Sequence, residues 1–283
     1  MSRVNEDPLK LLLIALIIFA SYSCTNKRGY LLSQTNVIQT EANAVADSAS
    51  MVPDANDTAT RYIYLTFDDG PQQGTMNCYH ICKSLGVKAT FFMIGEHADT
   101  RHLKSWVDTI SKSYPFTFLA NHSYSHAYQN HYKKFYSTLP SHSALDFVRA
   151  QDSLRIPYRI VRFPGNSTWS LHDKVTGPKP TLKLGRYLDS SGYDIIGWDV
   201  EWAFKGKHSA PVQSAETMIN LVNNYVNSDK LKTSKHLVLL SHDRMFNGAA
   251  ADSLYKFIAV LRKNPHYVFE TIDKYPGIKK NRS

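Results

Sequence analysis

Of the 283 residues only three are cysteine, and the chain has no glycine-rich dinucleotide turn, no nucleic-acid-binding motif and no long run of one charge sign. Each shortage narrows the reading. Cys78, Ile81, Cys82 and Leu85 form an i, i+3, i+4, i+7 stripe, so both cysteines read as small core residues of a helix running from Thr75 as N-cap to a stop at Gly86. A C-x3-C zinc half-site would need a second half, which is missing. Without a glycine-rich turn, a doubly wound dinucleotide-binding sheet loses its main support. The net charge of +9 comes from dispersed Lys and Arg. Only Lys133-Lys134 and Lys279-Lys280 are clustered, which describes a solvated surface and no nucleic-acid partner. The apolar run at 11–20 is too short to span a bilayer comfortably.

That run follows Arg3 and Lys10 and breaks into residues 21–24, the pattern of an export signal. A small residue just before Cys24 resembles a bacterial lipoprotein signal, which implies lipidation of Cys24 and a membrane anchor at the cell envelope. Cleavage without lipidation would leave a secreted protein. Residues 25–60 are polar with no period of 2 or 3.6, and read as a disordered tether. Residues 61–275 form a single catalytic domain, long enough for one sizeable core, and 276–283 a C-terminal tail. The expected state is a monomer.

Strand-like runs at 62–67, 89–94, 116–120, 159–163, 194–198, 237–240 and 267–271 alternate with helical stripes such as Met218, Ile219, Val222, Tyr225 and Val226. Alternation of this kind implies a parallel sheet, and seven strands suit a closed or nearly closed barrel. A doubly wound open sheet is the alternative.

In a parallel barrel the active site lies at the C-terminal ends of the strands. Asp68-Asp69 follow the first strand, Asn121-His122 the third, and Ser241-His242-Asp243 the sixth; Arg162 sits near the end of the fourth, and Glu201-Trp202 come shortly after the fifth. These separate stretches converge on one rim. His122 and His126 are four apart, which on a helical turn would put both imidazoles on one side. With Asp69 they make a two-His, one-Asp set with coordination positions left open, the catalytic pattern of a metal site and not the closed structural one.

The motifs TFDDGP (66–71), ATFFMIG (89–95), NHSYSH (121–126), RFPGN (162–166), WDVEW (198–202) and LSH (240–242) resemble, in order, those of polysaccharide deacetylases of the NodB-homology type, carbohydrate esterase family 4. The resemblance spans about 61–275. It implies an α/β fold, a distorted (β/α)7 barrel, and a divalent metal, Zn2+ first with Co2+ or Ni2+ as substitutes. The activity it implies is removal of N- or O-linked acetyl groups from an acetylated polysaccharide or oligosaccharide. By the same resemblance Asp69, His122 and His126 are metal ligands, Asp68 is the base and His242 the acid. Arg162 would hold Asp68, Glu201 would hold His242, the N–H of Gly165 would face the developing oxyanion, and Leu240 and Trp202 would line the acetyl pocket.

The third motif departs from the family pattern because Gly165 follows Pro164 directly and the usual aromatic is missing. The fourth is shortened and places Glu201 beside Trp202. The loop 166–181 would lie beside the site and shape substrate choice. Tyr124, Tyr128, Tyr132, Phe135, Tyr136, Trp169 and Trp198 gather near these motifs, for core packing or for stacking on sugar rings. Two other functions fit the same motifs: hydrolysis of small cyclic amides or ureides on this barrel, and glycan binding by a relative that has lost turnover.

Overall fold

The computed structural model describes residues 58–281. The expected export signal, Cys24 and nearly all of the expected tether lie outside the described residues. Among the described residues no helix is long and apolar enough to cross a membrane.

In chain order the strands are β1 (Arg61–Gly70), β2 (Ala89–Met93), β3 (Thr117–Asn121), β4 (Ile160–Val161), β5 (Trp169–Leu171), β6 (Lys174–Thr176), β7 (Asp194–Ile195), β8 (Val200–Glu201), β9 (Phe204–Lys205), β10 (Ala210–Pro211), β11 (His236–His242) and β12 (Tyr267–Phe269). The main helices are α1 (Thr75–Ser84), α2 (Arg101–Lys112), α3 (Tyr132–Ser137), α4 (Pro140–Leu154), α5 (Leu182–Ser190), α6 (Ala215–Tyr225) and α7 (Ala250–Leu261). The parallel sheet runs β7-β4-β3-β2-β1-β11-β8, with β12 beside the start of β1. Its two edge strands follow each other in the chain. The segment between them bonds to both sides, Ile196 N to Val161 O at 3.0 Å and Asp199 N to Val238 O at 2.9 Å, so the sheet wraps round as a distorted (β/α)7 barrel and is not an open doubly wound sheet.

All seven expected strands are present. The paired strand β8, and the hairpins β5–β6 and β9–β10, were not foreseen, being too short to show a period. The first hairpin lies in the loop 166–181, and its Trp169 packs on Tyr275 inside the barrel. That loop contributes no residue to the cavity described below. The chain also stays packed past 275: Arg159 N donates to Asn281 O, and Lys279 N and Lys280 N donate to the Asp194 carboxylate.

Strand period 2 sorts β1 cleanly. Ile63, Leu65 and Phe67 face the outer core with Cys78, Cys82, Met218, Val222, Leu254 and Phe257. Tyr64 joins the inner cluster of Phe92, Phe118, Ile160 and Val238. Both Cys78 and Cys82 are fully buried free thiols, as expected of core residues. Thr75, expected as the N-cap of α1, is its first helical residue instead. The cap is Gly74 at φ 101°, where an added Cβ would come within 2.0 Å of the Asp243 carbonyl oxygen, so only glycine fits.

Candidate active site

The same alternation that turns Tyr64 and Thr66 inward delivers Asp68 to the inside of the barrel rim, paired in register with His242 on β11. Asp69 should then face the helices. It does not, because the β1–β2 register slips between Asp68 and Gly70 and Asp69 takes φ 77°. A bulge of this kind re-aims a side chain, and two adjacent carboxylates end up serving one site.

They serve it differently. Asp68 Oδ1 accepts from Arg162 Nη1 at 2.9 Å, both side chains being buried. Arg162 also donates to Thr66 Oγ1 at 2.6 Å, Ile196 O at 3.2 Å and Gly197 O at 2.9 Å, so its fork is held on several sides. Asp68 Oδ2 is left near His122 Nε2, at 3.6 Å. Asp69 Oδ2 meets Arg244 at 3.2 Å. Asp69 Oδ1 is buried without a hydrogen-bond partner and sits 3.5 Å from His122 Nε2 and 3.2 Å from His126 Nε2.

That orphaned oxygen between two imidazoles is what a divalent cation would satisfy. The ligand atoms of Asp69, His122 and His126 all lie within 4.8 Å of one another, and one carboxylate with two imidazoles is a zinc-type donor set with room for further ligands. His122 Nδ1 faces the Arg162 carbonyl oxygen at 3.0 Å. A carbonyl only accepts, so Nδ1 carries the proton and Nε2 offers a bare lone pair. Burial pushes the His122 pKa down to about 4, outweighing the nearby Asp68 and Asp69 carboxylates. Burial also opposes charge on Asp69, but His126, His242, His122 and Arg244 together hold it below the usual carboxylate value.

The expected single turn of right-handed helix carrying both histidines is not what forms. His122 follows β3 directly, and His126 opens a left-handed turn, φ 48° to 68° over residues 126–130. Such a turn costs about 1 to 2 kcal/mol per residue in isolation. Its anchor is Asp146, whose Oδ2 accepts from Tyr124 N, Ser125 N and Ser125 Oγ at 3.1 Å each. Ser125 Oγ in turn accepts from Tyr128 N at 2.9 Å.

The site opens into a cavity of about 490 Å³, a size suited to a sugar unit. Asp68, Gly165, Leu240 and His242 line it as expected, and Glu201 stands at its margin. Two assignments need correcting. Trp202 does not line the cavity: it is fully buried in the outer core against Phe246 and Phe257, with Nε1 donating to Gln213 O at 2.9 Å. Trp198 and Phe204 form the apolar wall instead. The second concerns Glu201, an exposed residue that makes no hydrogen bond to His242; His242 Nδ1 is buried and unpartnered among the described residues. Phe204 packs edge-on against the His242 ring, 4.9 Å between centroids.

Of the aromatics near the motifs, Tyr132 and Trp198 face the cavity, while Phe135, Tyr136 and Trp169 are buried. Sequence reasoning assigned no role to His97, Arg244 or Asp243. His97 Nδ1 bonds the Asp69 carbonyl oxygen at 2.7 Å, and its position two residues after the ATFFMIG motif was the available signal. Asp243 lies beneath the rim, bonded to Thr75 Oγ1 and Gln72 Nε2, with its pKa pushed up to about 8 by burial.

Residues 55–168 match the family model described as polysaccharide deacetylase. That match includes Asp68, Asp69, His122, His126, Arg162 and Gly165. The chain is 24% identical to chitin disaccharide deacetylase of Vibrio alginolyticus, over 75% of this chain and 71% of that protein. The catalytic domain of peptidoglycan N-acetylglucosamine deacetylase from Eubacterium rectale has the same fold, with a TM-score of 0.56 at 21% identity over 83% of this chain and 98% of that one. So does a family 4 carbohydrate esterase from Streptomyces lividans bound to acetate, with a TM-score of 0.51 at 21% identity over 79% and 96%.

Proposed function

With residues 55–168 matching the polysaccharide deacetylase model, we propose hydrolytic removal of acetyl groups from a cell-envelope or extracellular glycan, at the site built on Asp68, Asp69, His122 and His126. The observation that carries the proposal is the division of labour between neighbouring acids. One oxygen of Asp69 is orphaned between two imidazoles, while Asp68 is tied back by Arg162 with its second oxygen free.

Asp69, His122 and His126 would hold a divalent cation, zinc by donor type with cobalt or nickel as substitutes, which when bound polarises a carbonyl and acidifies water. Asp68 Oδ2 faces the same space and takes the proton of the attacking water. Arg162 holds the Asp68 carboxylate in place through its 2.9 Å contact with Oδ1. Gly165, in a turn at φ 66° beside the cavity, offers its backbone N–H to the charge that grows on the acetyl oxygen. Its turn is held by Tyr136, whose hydroxyl donates to Pro164 O at 2.7 Å. His242, across from Asp68, delivers a proton to the departing amine or alcohol. Leu240, Trp198 and Phe204 give the methyl group an apolar wall.

The names of the relatives, a chitin disaccharide deacetylase and a peptidoglycan N-acetylglucosamine deacetylase, favour an N-acetylated amino sugar over an O-acetyl ester. The export signal and Cys24 favour an envelope substrate. Acetate release across chitin oligomers, peptidoglycan fragments and acetylated xylan, each with wild type and Asp68→Asn, tests the reading: release by wild type from at least one glycan and a loss of 10²-fold or more in the variant is expected. Full activity of Asp68→Asn would remove it as the base. A glycan-binding relative without turnover is the second reading, supported by the unpartnered His242, and tight glycan binding with no acetate release would establish it.

A further inference from the structure

The left-handed turn at 126–130 brings Asn130 back against the histidine that opens it. Asn130 Oδ1 lies 2.7 Å from His126 Nδ1, and the Tyr132 hydroxyl donates to the same oxygen at 2.8 Å. The atom that faces both groups is the amide oxygen, which can only accept. His126 Nδ1 therefore carries the ring proton. Nε2 is bare and faces Asp69 Oδ1 at 3.2 Å. Two acceptors at that distance with no proton between them leave a place for a cation.

We propose that Asn130, backed by Tyr132, is the positioning residue that sets the tautomer of His126 and presents its Nε2 as a metal ligand. This rests on the reading of Asp69, His122 and His126 as a metal site. His122 has its tautomer set by a main-chain carbonyl, which no substitution removes. His126 depends on a side chain, so its metal affinity is open to mutation without touching a ligand. Tyr132 adds a second constraint: its ring meets His126 edge-on, 5.9 Å between centroids, and lies 3.0 to 3.4 Å from where a Cβ on Gly165 would stand. One tyrosine thereby braces the metal ligand and closes the wall that the third motif leaves without an aromatic.

Asn130 has φ 68°, which Gly and Asp also tolerate. Asn130→Gly therefore removes the acceptor and leaves the turn, and Asn130→Asp keeps both. In metal-stripped protein, long-range 1H–15N spectra of labelled histidine should show His126 protonated at Nδ1 in wild type and Asn130→Asp, and shifted toward Nε2 protonation in Asn130→Gly. Zinc titration by calorimetry should give a Kd raised about 10- to 100-fold in Asn130→Gly, the usual cost of losing such a partner, and within a few-fold of wild type in Asn130→Asp. Tyr132→Phe should show a smaller loss in the same direction. Unchanged zinc affinity in Asn130→Gly, or a stripped wild type protonated at His126 Nε2, overturns the assignment while leaving the metal site standing. A wild-type protein that takes up no zinc overturns the site and this inference together.

Discussion

Arg162 and Asp68 meet at 2.9 Å from opposite walls of the barrel, both buried, one from the end of β4 and the other from the end of β1. The pair fixes the Asp68 side chain, the proposed base, and it also ties two distant strands together. Because a buried charge without its partner is far worse than the intact pair, Arg162→Met should destabilise the fold by about 3–5 kcal/mol, read from urea unfolding. Adding Asp68→Asn to that variant should recover part of the stability and none of the turnover. No recovery of stability would mean that the other bonds of Arg162, to Thr66, Ile196 and Gly197, carry its structural role.

Trp202 and Trp198 should separate by phenotype although they stand four residues apart in one motif. Trp202→Ala removes a fully buried core ring and should cost about 3–5 kcal/mol of stability, with KM unchanged in the folded fraction. Trp198→Ala should leave the unfolding midpoint nearly in place and raise KM for oligosaccharides. Steady-state kinetics alongside denaturant curves would show an exchange of these effects if the cavity wall were assigned wrongly.

Glu201 makes no bond to His242, so Glu201→Gln should leave the pH dependence of kcat where it is and alter KM instead. A displaced acidic or basic limb in the pH profile would show that the two residues engage during turnover.

Burial sets the His122 pKa at about 4, against an ordinary 6.5. Above pH 6.5 neither the folded nor the unfolded metal-free chain is protonated there, and His122 has no effect on stability. As pH falls from 6.5 to 4 the unfolded chain takes up a proton that the folded chain refuses, so stability declines, and below 4 the loss is complete. Its size is on the order of 3 kcal/mol. Denaturant midpoints of stripped protein should slope downward across that window, and His122→Asn should flatten the slope. Equal slopes in the two proteins would assign the acid sensitivity elsewhere.

The barrel was legible because its strands carry long apolar or alternating runs and its helices clear stripes, all set by local period. The convergence of Asp68, Asp69, His122 and His126 was legible because their motifs keep fixed spacing. What escaped depends on contacts between distant residues. The bulge that turns Asp69 inward, the left-handed turn at 126–130 and the pairing of Arg244 with Asp69 leave no periodic trace. Trp202 was misplaced because a tryptophan beside an acid reads the same whether its ring points into the cavity or back into the core, and only the route of the chain from β8 into β9 decides. Glu201 was credited with reach that its side chain does not use.

The central claim is that Asp69, His122 and His126 share one divalent cation on which acetyl hydrolysis depends. Acetate release from N-acetylated chitin oligomers, followed on stripped protein before and after one equivalent of Zn2+, tests it most directly. The account predicts no release before addition, release after it, and none at any zinc level in His126→Ala. Equal release with and without metal, or a fully active His126→Ala, would contradict it.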